Sequence, residues 1–155
     1  MDITLRAATA EDASQVADVL LASRQAFLPY APPAHADADV RQWVRDVLLP
    51  SGGVTLACAG ARVVGVLATS RDEGGVGWID QLYLLPGHVG LGTGSRLLAH
   101  ALASLPPPWR LYTFQANDGA RRFYERHGFQ AIAFTDGQGN EERCPDVLYE
   151  RTARG

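Results

Sequence analysis

Residues 76–98 read VGWIDQLYLLPGHVGLGTGSRLL, and this stretch decides the fold. Residues 76–85 are an apolar run of strand length, stopped by Pro86. Leu97 and Leu98 open a stripe that continues through Ala101, Leu102 and Leu105 at helical spacing and ends at Pro106-Pro107-Pro108. Between strand and helix lies Gly90-Leu91-Gly92-Thr93-Gly94-Ser95. A helix start presents free backbone N–H groups and about half a positive charge, which suits an anion. Glycines remove the Cβ atoms that would hold a phosphate away from the backbone. A tight turn needing positive φ is the plainer explanation of such glycines. Three in alternation exceed what a turn needs and favour a phosphate cradle.

The pattern before this stretch is strand-rich. Residues 54–59 and 63–69 are short apolar runs separated by Gly60-Ala61-Arg62, which reads as a hairpin, and Gly74-Gly75 makes the next turn. Earlier still, residues 3–6 alternate as a half-buried strand does. Thr9 offers an N-cap, with Glu11 and Asp12 in the first turn, for a helix over 10–26 carrying Val16, Val19, Leu20 and Phe27. Pro29, Pro32 and Pro33 break it. A second helix is predicted over 38–49, with Asp37 as its cap and Val40, Trp43, Val44, Val47 and Leu48 on one stripe.

Downstream, residues 109–115 form another strand, and Asn117 caps a short helix whose Ala120, Phe123, Tyr124 and His127 share a face. Gly128 suits the position after that helix, and 129–135 and 147–151 close the sheet across a polar loop. The order β-α-α-β-β-β-α-β-α-β-β describes a mixed α/β (α+β) sheet with helices on its faces, in one domain over 1–155.

Composition narrows the function. The chain has 155 residues, 46% hydrophobic and 20% charged, which is ordinary globular composition. A net charge of -3 disfavours nucleic acid and anionic membranes as partners. All 14 basic residues are arginines, so a Schiff-base lysine and a lysine-dependent P-loop are excluded. Cys58 and Cys144 are too few for a disulfide framework or a zinc cluster and read as buried free thiols; no metal is expected. The absence of a membrane-length apolar run and of a signal-like start predicts a cytoplasmic protein.

A dinucleotide fingerprint needs glycine where Ser95 stands and an acid about 20 residues on, so NAD fits poorly. A diphosphate held by backbone alone fits coenzyme A better. The residues now resemble a known family. Leu82-Tyr83-Leu84-Leu85-Pro86, then Val89-Gly90-Leu91-Gly92-Thr93-Gly94 and Leu97-Leu98, resembles the acetyl-coenzyme A segment of the GNAT superfamily of N-acetyltransferases. Residues 117–129, with Asn117, Ala120, Phe123-Tyr124 and Gly128-Phe129, resemble that family's second signature. Val89 departs from the Gln or Arg usual there, a difference that bears on cofactor affinity.

The resemblance implies a GNAT-like fold, a mostly antiparallel sheet of about seven strands flanked by about four helices. It implies acetyl-CoA as co-substrate, bound by Leu82 and Leu84 as an added strand. The amides of Val89, Gly90, Leu91, Gly92, Thr93, Gly94 and Ser95 would hold the pyrophosphate, with Asn117 and Ala120 at the pantetheine arm. Tyr124 would face the sulfur as general acid, a task suited to a hydroxyl with a pKa near 10. Asp80, a carboxylate in an apolar strand beside the cofactor, is the candidate base, equally readable as a buried partner for an arginine. Strand alternation puts Trp78, Asp80, Leu82 and Leu84 on one face. Tyr112 on the neighbouring strand would help order a water.

The expected reaction is transfer of an acetyl group to a primary amine of a small molecule. A protein or peptide amine is the rival acceptor, and a non-catalytic acyl-CoA sensor or a nicotinamide-dependent oxidoreductase the rival classes. Residues 27–39 and 136–146 are expected to form the acceptor site, the latter an acidic loop with Asp136, Asn140, Glu141, Glu142 and Asp146. A homodimer is common in the family.

Overall fold

The computed structural model describes residues 2–27 and 36–153. Pro29, Pro32 and Pro33 lie outside the described residues. Seven strands form one sheet: β1 Ile3–Ala7, β2 Val54–Ala59, β3 Arg62–Arg71, β4 Gly77–Leu84, β5 Trp109–Phe114, β6 Gln130–Phe134 and β7 Asp146–Arg151. Four helices accompany them: α1 Ala13–Phe27, α2 Asp37–Trp43, α3 Thr93–Ser104 and α4 Asp118–Arg126. The sheet order is β1-β2-β3-β4-β5-β7-β6, antiparallel throughout except between β4 and β5. This is the mixed α/β architecture expected from the order of elements.

Helices cover both faces of the central strands, so β3 is buried from Val63 to Ala68 without alternation. On one face, Leu97, Leu98 and Ala101 of α3 and Tyr124 of α4 pack with Val64, Leu67, Ile79, Trp109 and Leu111. On the other, Val16, Val19 and Leu20 of α1 join Val44 and Leu48 against Leu56, Val63 and Val66. A Cβ at Gly65 would come within 2.8 Å of Leu84 and 3.0 Å of Leu97, so glycine there lets α3 sit close on the sheet.

The first helical segment starts at its expected cap, Thr9, though through a 3-10 turn, whereas the start of the second differs from the sequence expectation. Residues 10–12 make a 3-10 turn before α1, and the Thr9 N–H donates to the Asp12 carboxylate at 2.8 Å. Arg6 grips the same carboxylate with both terminal nitrogens, each at 2.8 Å. At α2 the N-cap is Ala36 rather than Asp37, and the predicted long helix breaks into α2, a π turn over 44–48 and a 3-10 turn over 49–51. The wider π turn rotates the stripe: Val44 and Leu48 are buried, whereas Trp43 and Val47 are exposed. Cys58 is buried, but Cys144 is only half-buried, because it sits in the loop before β7; both are free thiols.

Two irregularities in β4 create the site. β4 pairs with β5 only at Gly77–Trp109 and Trp78–Arg110; beyond them the strands part, leaving the edge of β4 without a strand partner. On its other edge, Ala68 faces Gln81 and the next residue, Thr69, faces Ile79, so Asp80 is the extra residue of a β-bulge. The bulge breaks the alternation that put Trp78, Asp80, Leu82 and Leu84 on one face. Ile79, Leu82 and Leu84 pack on the α3 side, Tyr83 packs on the α1 side, and Trp78 stacks on Tyr112.

Candidate active site

A cavity of about 700 Å³ runs through the split between β4 and β5. Its first end is the glycine loop. Gly92 is the N-cap of α3 at φ 85°, and Gly90 has φ 83°. Those two glycines therefore do serve the turn. Gly94 does not need positive φ; a Cβ there would sit 3.4 Å from Leu84 and 3.5 Å from Phe123. Val89, Gly90, Gly92, Gly94 and Ser95 line the cavity. Leu91 is exposed away from it, and Thr93 is buried beneath the loop. The Ser95 hydroxyl lies 3.0 Å from Nε2 of His127, whose pKa is lowered by burial and by Arg126 and Arg151, so the imidazole stays neutral.

Leu82 and Leu84 from the free edge of β4, with Asn117 and Ala120 from the start of α4, line the middle. Asn117 caps α4, its Oδ1 accepting from the Ala120 N–H at 3.2 Å. Tyr124 is 8% exposed. Its ring meets Phe123 and Phe129 edge-on, with centroids 5.2 and 5.8 Å away. Its hydroxyl has no hydrogen-bond partner among the described residues, and it borders the cavity. Burial pushes this phenol well above its ordinary pKa, with nearby Tyr83 adding to the effect. Helix α4 is fixed behind it by Tyr149, whose hydroxyl donates to Glu125 at 2.7 Å and accepts from Arg121 at 3.1 Å.

Asp80 reaches the cavity from the bulge while its other side meets solvent. Lost hydration raises its pKa, opposed by a hydrogen bond from Ser70, and no cation pairs with it among the described residues. The reading of Asp80 as an arginine's partner is therefore not realised. Tyr112 is 55% exposed, stacked on Trp78 at 5.8 Å and 11°, and stands at the rim.

The far end is polar. Asn140, Glu142 and Asp146 of the acidic loop line it, together with Ser23 of α1 and Tyr83 of β4. Glu142 is clamped by Arg24 at 2.9 Å across 118 residues of sequence. Residues 28–35 of the other expected acceptor segment lie outside the described residues. Ser23 and Tyr83 escaped the sequence reading. Tyr83 sits inside the quoted strand, where only the bulge tells which way it turns; Ser23 carries no local signal.

A family model described as the acetyltransferase (GNAT) family matches residues 19–129. The chain belongs to the GNAT acetyltransferase family. No curated protein matches it in sequence. Among solved structures it resembles apo YjaB from Escherichia coli, at 21% identity and TM-score 0.79 over 99% of this chain and 100% of that one. It resembles the PaiA N-acetyltransferase of Thermoplasma acidophilum, solved with coenzyme A, at 19% identity and TM-score 0.75 over 99% and 100%. Naa50 of Arabidopsis thaliana, solved with a bisubstrate analogue CoA-Ac-MVNAL, is similar at 20% identity and TM-score 0.74 over 99% and 100%. At such identities these likenesses speak for the GNAT fold. That fold uses acetyl-CoA, and here the glycine loop, the free edge of β4 and Tyr124 lie along one cavity. Among the described residues no group of three or more His, Cys, Asp or Glu could hold a metal, and no helix is long and apolar enough to cross a membrane.

Proposed function

We propose that this GNAT domain transfers an acetyl group from acetyl-CoA to a primary amine of a small molecule. The observation that carries the reading is Tyr124: a deeply buried ring whose hydroxyl, unpartnered among the described residues, borders the cavity between the glycine loop and the polar end. The cradle fits the group. The Gly90 and Gly92 conformations leave the start of α3 open, with nothing within 4 Å of a Cβ at either, and the β4 edge offers unpaired backbone to an extended arm. The bound co-substrate supplies an activated thioester.

The chain's own residues then manage protons. The amine arrives as an ammonium and gives its proton to Asp80, directly or through water; the raised pKa makes that carboxylate a better acceptor than an ordinary one. As the nitrogen–carbon bond forms and the carbon–sulfur bond breaks, Tyr124 donates its hydroxyl hydrogen toward the departing sulfur. An ordinary thiol is more acidic than an ordinary tyrosine, and this tyrosine is held higher still. Its contribution is therefore a hydrogen bond that strengthens as charge gathers on sulfur. The proton released from the new amide nitrogen passes to the departing sulfur, so coenzyme A leaves as the thiol and the step balances. Tyr112, at the rim and stacked on Trp78, would order water at the mouth.

Replacing Tyr124 with Phe tests this. Steady-state kinetics should show kcat falling by about 100-fold with the dissociation constant for coenzyme A unchanged. Unchanged kcat would remove Tyr124 from the mechanism. Absence of thiol release with any amine, despite coenzyme A binding, would favour the acyl-CoA sensor.

A further inference from the structure

We infer that the polar end of the cavity selects the acceptor, and that it takes an amine carrying a second cationic group. The inference rests on the acetyl-transfer reading, whose amine enters at this end. Three carboxylates line the cavity, Glu142 and Asp146 at this end and Asp80 at the bulge. Arg24 neutralises Glu142. Arg126 also lines the cavity, but its guanidinium lies over the ring of Phe123, toward the glycine loop. Asp80 is committed to the reacting ammonium. Among the described residues Asp146 is held only by neutral donors, the Thr135 hydroxyl and the Asn140 amide at 3.2 Å. One negative charge therefore remains uncompensated.

A second, independent feature points the same way. Ser23 is 5% exposed, borders the cavity, and has no hydrogen-bond partner among the described residues. That hydroxyl opens onto the cavity, where its oxygen is free to accept an ammonium N–H. Tyr83, half-buried beside the Arg24–Glu142 pair, brings another hydroxyl to the same wall. An uncompensated carboxylate and hydroxyls that face the same cavity form a receptor for a cation.

The test is calorimetric binding of 1,4-diaminobutane and butylamine, matched in length, to the coenzyme A-loaded protein at low ionic strength. The diamine should bind at least about tenfold more tightly. Asp146→Asn and Glu142→Gln, each removing one negative charge, should bring the two amines within about twofold. Arg24→Gln leaves an extra negative charge in the wall and should keep the preference. Equal binding in the unmodified protein overturns the inference, as does a preference that survives both carboxamide variants. Loss in Arg24→Gln as well would trace the effect to the shape of the loop and overturn the charge assignment. Thiol release measured alongside separates the two readings. Selective diamine binding with no release of coenzyme A would refute acetyl transfer while leaving the subsite intact.

Discussion

At the scale of single residues, burial and charge set opposite fates for similar groups. Two carboxylates make the contrast. Asp12, gripped by Arg6 and by the Thr9 N–H, is held down to about 2, whereas Asp80 at the bulge is pushed up because the cavity wall strips its water and no cation replaces it. For Asp12 the folded pKa lies below the unfolded value near 3.9, so its contribution is complete above that value. It is lost as pH falls from about 4 toward 2. Because Arg6 is partly exposed, a contribution of about 1–2 kcal/mol is expected. Denaturant unfolding of Asp12→Asn should show that deficit at pH 7 and a much smaller one near pH 2; an equal deficit at both would contradict the assignment. Asp80 predicts the reverse direction for catalysis. The acid limb of kcat/KM should lie above the ordinary carboxylate range, activity falling as pH drops through the raised pKa, and Asp80→Asn should abolish that limb. A limb that persists in the variant assigns the base elsewhere.

At the scale of elements, most of the chain was legible because periodicity survives wherever an element is regular. The α3 stripe, the β2–β3 hairpin at Gly60-Ala61 and the Asn117 cap all formed where spacing and cap chemistry placed them. Legibility failed where one residue is inserted. The π turn after α2 exposed Trp43 and Val47, and the bulge at Asp80 changed the face of everything after it in β4. No local pattern announces either, since both are settled by packing against distant strands. The glycine loop illustrates a finer division. Gly92 caps α3 in the left-handed region, while Gly94 has an ordinary φ and room for a methyl group. Gly92→Ala should therefore cost about 1–2 kcal/mol, whereas Gly94→Ala should be neutral within about 0.5 kcal/mol or gain helix propensity. Urea unfolding of the pair checks this, and equal costs would mean that the strain is not localised at the cap.

At the scale of the whole molecule, the parting of β4 from β5 is what turns a covered sheet into a site. It lets one cavity pass between two cores, bringing the start of α3, the buried Tyr124 and the Ser23–Glu142 wall onto a single path. The cofactor side of that path could be read from motifs, because its residues lie in two short segments. The acceptor side could not, because α1, β4 and the loop before β7 meet there from far apart in the chain. Thermal unfolding with acetyl-CoA, coenzyme A, NAD or ATP at matched concentration shows whether this path is built for acetyl-CoA. At about 100 times the dissociation constant a bound ligand adds roughly 2.7 kcal/mol, or about 5–10 °C in Tm for a chain of this length. Both coenzyme A species should give that shift, and NAD and ATP none. An unmoved Tm with coenzyme A, or an equal shift with NAD, would contradict it.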